Sequence, residues 1–152
     1  MSYIDVLQEL GRARRALEDL IAAFNDSQVR VASLMHAISD QAQIDNPNIV
    51  KVATDLAGFA LYFSRSRIPY NRTEEANFKY HRHIGVYGYQ KSALLEFVNW
   101  PMSPLEHLEK LEQLRYLENG VRIKMVITKF FSIGIDTPED YITAKKFVDE
   151  GK

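Results

Sequence analysis

"RHIGVYGYQKSALLEFVNW", residues 82–100, decides the fold class. "HIGVYGYQ" (83–90) reads as a strand, and "KSALLEFVNW" (91–100) as a short helix that follows it directly. The next segment, "SPLEHLEKLEQLRYLENG" (103–120), has a clear helix start and stop. Ser103 caps, Pro104 opens the first turn, Glu106 closes a capping box, and Asn119 and Gly120 end the helix. "VRIKMVITKFF" (121–131) alternates as a strand does. "TPEDYITAKKFVDEGK" (137–152) then predicts a last helix, with Thr137 as N-cap, Pro138 as its first residue and Asp140 three after the cap. Strands alternating with helices argue α/β or mixed α+β packing, and the expected class is α/β, a mixed sheet with flanking helices.

Working outward, "VRVASLMHAI" (29–38) is apolar on both faces and reads as a buried strand. "IVKVATD" (49–55) and "FALYFSR" (59–65) read as two more strands, separated by a turn around Gly58. "RIPYNRTEEANFKYHR" (67–82) reads as an exposed loop. At the N-terminus, Tyr3, Val6, Leu10, Ala13, Leu17, Leu20 and Phe24 recur in steps of three and four. That spacing predicts one amphipathic helix, too short a stripe for a coiled coil and so packed on the rest of the domain.

The chain of 152 residues is 46% hydrophobic, enough for one domain with a core. A formal net charge of −1 gives it no general attraction for nucleic acid or an anionic membrane. It has no cysteine, which excludes disulfides, thiolate metal sites and a cysteine nucleophile. No apolar run is long enough to span a bilayer, and no secretion-signal layout is present, so the expected setting is cytoplasmic. The phosphate-binding G-x-x-x-x-G-K-[ST], the dinucleotide G-x-G-x-x-G and the nucleophile elbow G-x-S-x-G are all missing.

Several residues stand out as chemistry. His83, Gly85, Tyr87 and Tyr89 share one strand face, and Gly85 leaves its middle open for a ligand or for a bulky neighbour. His81 and His83 also face alike, but no third metal ligand lies nearby in the sequence. Arg65 ends an apolar strand and must reach solvent or an anion. With Arg67 and Arg72 it could bind a carboxylate or phosphate, or the three could pair with Glu74 and Glu75 in a solvated loop. Projected on a single helix, Glu112 falls between Leu105 and Leu108, either partly buried and in need of donors or at the rim of a half-covered helix. Gln113 lies beside it. Asp136 precedes a cap that is already complete, so it has no capping role to fill.

Taken in order, "NPNIVKV", "ALYFSRSRIPY", "RHIGVYGYQ", "SPLEHLEKLEQLRYLENG" and "GIDTPED" resemble the C-terminal half of 3-deoxy-manno-octulosonate (Kdo) cytidylyltransferase, or CMP-Kdo synthetase. The resemblance runs over residues 17–152 of a single domain, with 1–16 as a helical segment outside it. It implies a nucleotide-diphospho-sugar transferase fold that dimerises through this half. It implies transfer of CMP from CTP to Kdo, with Mg²⁺ as cofactor and pyrophosphate released, for lipopolysaccharide synthesis. Carried over residue by residue, it makes Arg65, His83, Tyr87, Glu112 and Gln113 contacts to Kdo, and Asp136 a ligand of Mg²⁺. The family's CTP loop of the R-x-x-S-T-R-L-P-G-K kind and its Q-G-D-E-P segment do not occur in these residues, so the CTP site is incomplete here. Two functions follow: a cytidylyltransferase that needs the remaining half, or a non-catalytic sugar-acid-binding or dimerisation module.

Overall fold

The structure is a computed structural model that describes residues 3–75, 78–129, 141, 142 and 145, and of residues 3–10 the backbone alone. Five strands form one mixed sheet in the order β3-β2-β4-β1-β5. They are β1 (Val31–Ala37), β2 (Lys51–Thr54), β3 (Ala60–Ser64), β4 (His81–Tyr89) and β5 (Ile123–Ile127). β1 lies at the centre of the apolar packing because both its faces are apolar, and it runs parallel to β5 and antiparallel to β4.

Alternation along β1 sorts its side chains into two layers. Ala32 and Leu34 point to one face, where Ile84 and Phe59 join them under α1 (Tyr3–Ala22). Val31 and Met35 point to the other, where Phe63, Ile123 and Met125 pack against the helical layer. That layer is α3 (Lys91–Phe97), α4 (Pro104–Glu109) and α5 (Leu114–Glu118). A short α2 (Gln41–Ile44), capped by Asp40, precedes β2. The predicted α/β fold class is therefore present, as two helical layers enclosing a mixed sheet.

Helix α1 covers the sheet within the chain, with Leu20 and Phe24 inward as expected and Ala16 in place of Leu17. Ala16 and Leu20 are buried, whereas Leu17 is 48% exposed. The small Ala16 lets the helix approach closely, and Phe24 then lies over β4. A Cβ at Gly88 would stand 2.6 Å from the Phe24 ring, so the glycine there makes room for the helix.

The single helix expected over 103–118 is two helices. The capping box at Ser103 and Glu106 forms as predicted. Lys110 then takes a left-handed conformation (φ 55°, ψ 48°), and the chain turns before α5 begins. The turn drops Leu111 and Leu114 into the core and leaves Leu108 76% exposed. Ion pairing fixes the two halves: Arg115 grips the buried Glu106 carboxylate with Nε at 2.7 Å and Nη2 at 2.5 Å. Of the predicted C-terminal helix, Tyr141, Ile142 and Lys145 are helical.

Candidate functional site

The site begins with an irregularity between β1 and β4. Ser33 pairs with Tyr87 and the next residue, Leu34, with Ile84, so Gly85 and Val86 have no opposite on β1. Such a bulge bends a strand and re-aims its side chains. Because two residues are inserted, alternation survives, and His83 and Tyr87 stay on the same face as expected. Their rings lie 5.3 Å apart, tilted by 57°. A Cβ built at Gly85 meets nothing within 4 Å, so no bulky neighbour covers it, and the His83 and Tyr87 rings meet each other rather than flanking a gap.

An aromatic row continues from there. Phe63 meets His83 edge-on at 5.0 Å, Tyr87 stacks on Tyr89 at 5.7 Å, and Tyr89 stacks on Tyr116 at 5.8 Å. Burial holds the half-buried His83 at a pKa of about 4, so the imidazole is neutral near pH 7. Burial, then the neighbouring Tyr89 and Glu112, push the Tyr87 phenol up. Tyr89 is raised by burial and by Glu112. Both phenols therefore keep their protons and can donate. Glu112 itself is exposed, at the turn that separates α4 from α5. The helix break explains this, since the leucine arc that would have enclosed Glu112 does not exist. Gln113 is the buried member of the pair, at 6% exposure, and its amide makes no hydrogen bond with the described residues.

Arg65 follows β3 and is held by main-chain oxygens. Its Nε donates to the Glu109 carbonyl at 2.7 Å and Nη1 to the Pro47 carbonyl at 3.0 Å. Neither oxygen carries a full charge, and among the described residues no carboxylate pairs with this guanidinium. The guanidinium is thus oriented, and its charge remains available to an anion. Of the arginines expected beside it, Arg67 already has a carboxylate partner. Arg67 binds Asp45 through two bonds of 2.9 and 2.5 Å, rather than Glu74 or Glu75, and Arg72 is exposed.

Two supporting residues escaped the sequence reading. Lys51 is fully buried, with Nζ donating to the carbonyls of Asn46 (2.9 Å), Ile49 (2.6 Å) and Arg65. Desolvation lowers its pKa, opposed by Asp45 and Glu109. The signal was the lone charge inside the apolar "IVKVA". Glu109 is the second, with Oε1 accepting from Ser64 Oγ at 2.6 Å and Oε2 from the Arg65 N–H at 3.0 Å. The structure therefore brings His83 and Tyr87 into contact, sets Glu112 within electrostatic reach of Tyr87, and anchors Arg65 to Glu109, three residues before Glu112. Asp136 lies outside the described residues. Among those residues, no group of three His, Asp or Glu side chains is arranged to hold a metal ion.

Comparison with known proteins decides the family. Residues 13–123 match the family described as cytidylyltransferase. The chain belongs to that family. It is 52% identical over 132 residues to a 3-deoxy-manno-octulosonate cytidylyltransferase from Flavobacterium johnsoniae, covering 85% of this chain and 54% of the relative. A second such enzyme, from Christiangramia forsetii, is 46% identical over 138 residues, covering 89% of this chain and 56% of the relative. Among solved structures, CMP:2-keto-3-deoxy-manno-octonic acid synthetase complexed with CTP superposes with a TM-score of 0.79 at 34% identity, covering 91% of this chain and 57% of that one. The chain spans about half the length of the curated cytidylyltransferases it matches. No described helix is long and apolar enough to cross a membrane.

Proposed function

We propose that this cytidylyltransferase-family chain forms the sugar-acid side of a CMP-Kdo synthetase site. There CMP would pass from CTP to a Kdo hydroxyl with release of pyrophosphate. The observation that carries the reading is Arg65, a guanidinium oriented by two carbonyls and, among the described residues, without a carboxylate partner. A sugar acid has one carboxylate and several hydroxyls. Arg65 suits the carboxylate. His83, Tyr87, Glu112 and Gln113 suit the hydroxyls, since together they offer neutral donors, neutral acceptors and one charged acceptor.

In the reaction the sugar oxygen forms a bond to the α-phosphorus of CTP, the bond to the pyrophosphate oxygen breaks, and the hydroxyl proton is lost. Mg²⁺, when bound, would neutralise the phosphates, with Asp136 as its carboxylate ligand from this chain. The residues here bind and orient the sugar. A cytoplasmic homodimer that engages neither nucleic acid nor membrane belongs to the same reading.

A second reading has support of its own. These 152 residues contain neither the R-x-x-S-T-R-L-P-G-K nor the Q-G-D-E-P pattern, which favours sugar-acid binding without turnover by this chain alone. A pyrophosphate-release assay with CTP, Kdo and Mg²⁺ separates the two. Turnover that Asp136→Asn abolishes supports the enzyme. Binding of Kdo without turnover supports the module, and no binding at millimolar Kdo leaves only a structural role, as a dimerisation module.

A further inference from the structure

We infer that Ser33 is a positioning residue that locks His83 in the Nε2–H tautomer, so that Nδ1 presents a lone pair to a ligand hydroxyl. Ser33 sits on β1 opposite the β4 bulge and is fully buried. Its hydroxyl has three neighbours: the Val86 carbonyl at 2.9 Å, the Ile84 carbonyl at 3.3 Å and His83 Nε2 at 2.8 Å.

A hydroxyl carries one proton, and a carbonyl can only accept. The carbonyls claim that proton, the closer Val86 oxygen having the better geometry. The contact with Nε2 is then satisfied in one way, by the ring N–H donating to a Ser33 lone pair. In a neutral imidazole the other nitrogen must carry the lone pair. Burial keeps the ring neutral near pH 7, which leaves Nδ1 unprotonated there. Nδ1 makes no hydrogen bond with the described residues.

The bulge is what permits this arrangement. Without the unpaired Gly85 and Val86, the Val86 carbonyl could join the ladder to β1. Ser33 occupies the gap and connects it to His83. The consequence for recognition rests on the sugar-acid reading above. A neutral acceptor discriminates against carboxylate and phosphate oxygens, which would meet it lone pair to lone pair. His83 therefore selects a sugar hydroxyl, and the carboxylate is left to Arg65.

The tautomer is read from long-range ¹H–¹⁵N correlations of the imidazoles in the full chain, with His83→Asn assigning the signal. The expected result is a proton on Nε2 and none on Nδ1 in the wild type, retained in Ser33→Thr and lost to a mixture in Ser33→Ala. A wild-type ring protonated at Nδ1, or a Ser33→Ala ring with wild-type signals, overturns the inference without any ligand present. In a parallel Kdo titration, Ser33→Ala is expected to bind about five- to tenfold more weakly than wild type, the scale of one hydrogen bond. If the tautomer is as stated and the wild type binds no Kdo, the sugar-acid reading fails and the positioning role of Ser33 stands.

Discussion

Glu109, at the end of α4, holds Arg65 twice: its carboxylate accepts from the Arg65 backbone N–H at 3.0 Å, and its carbonyl accepts from Arg65 Nε at 2.7 Å. The same carboxylate also accepts from Ser64 Oγ at 2.6 Å. The helical layer is thereby tied to the end of β3, and the guanidinium is tied to the helical layer. Glu109→Ala removes the carboxylate bonds and keeps the carbonyl. Each charge-assisted bond of this kind contributes about 1.5–3 kcal/mol. We expect a lower Tm and about tenfold weaker Kdo binding, by calorimetry, as the end of β3 comes loose from α4 and the Glu109 carbonyl no longer stands in place to orient the guanidinium. Wild-type affinity in Glu109→Ala would show that Arg65 is held well enough without it.

The two glycines of β4 separate packing from binding. Alanine at Gly88 would put its methyl 2.6 Å from the Phe24 ring, and overpacking of this kind costs about 1–3 kcal/mol. Alanine at Gly85 meets nothing within 4 Å. Gly88→Ala should therefore unfold at lower denaturant concentration, with Gly85→Ala near wild type. In Kdo titrations the order should reverse among the folded proteins, because Gly85 lies in the exposed bulge next to His83 and Tyr87. Equal stability of the two variants would contradict the packing of α1 on β4.

Arg115 and Glu106 form the ion pair that joins α4 to α5, with side-chain exposures of 15% and 4%. Arg115 also lies over the Phe97 ring, 4.3 Å from its centroid. Removing one partner strands the other, so Arg115→Ala should cost about 3–5 kcal/mol, measured by urea unfolding. The double change Arg115→Met with Glu106→Gln should recover much of that loss, since no buried charge remains. If the single and double variants unfold alike, the pair does not join the two helices.

Burial of neutral His83 makes stability depend on pH. The ring titrates near its ordinary value of 6.5 in the unfolded chain and at about 4 in the folded one. Between those values the unfolded chain binds more protons. This contribution is therefore full above pH 6.5 and is lost as the pH falls toward 4, with a slope of at most about 1.4 kcal/mol per pH unit. His81 is also lowered, by burial and then by His36 and Lys79, and adds in the same direction. His83→Asn should flatten the slope and leave the share owed to His81. An unchanged slope would mean that His83 is not buried as a neutral ring.

The strands and their faces were legible because the sheet imposes a period of two on side chains that must choose core or solvent. "RHIGVYGYQ" and "VRVASLMHAI" carried that pattern openly, and His83 and Tyr87 meet where it put them. The break at Lys110 was not legible. No glycine or proline marks it, and the conformation is held by Leu111 and Leu114 entering the core and Glu109 reaching β3. For that reason Glu112 is exposed, and of its two sequence alternatives the partly buried one fails. In the α1 stripe Leu20 and Phe24 face inward as read, and Ala16 replaces Leu17 at one position because a small side chain permits close approach to the sheet. Ser33 was hidden for a different reason: its partner is 50 residues away, and the β4 bulge that joins them has no signature beyond a lone glycine.

The central claim is that Arg65 and the His83–Tyr87 face form one site for a sugar acid. The most direct test is titration of the wild-type chain with Kdo, followed by calorimetry and by the His83 imidazole signals, beside Arg65→Ala. The account predicts saturable binding that shifts the His83 signals, and loss of that binding in Arg65→Ala with the fold retained. No binding at millimolar Kdo, or binding that leaves His83 unmoved and survives Arg65→Ala, would contradict it.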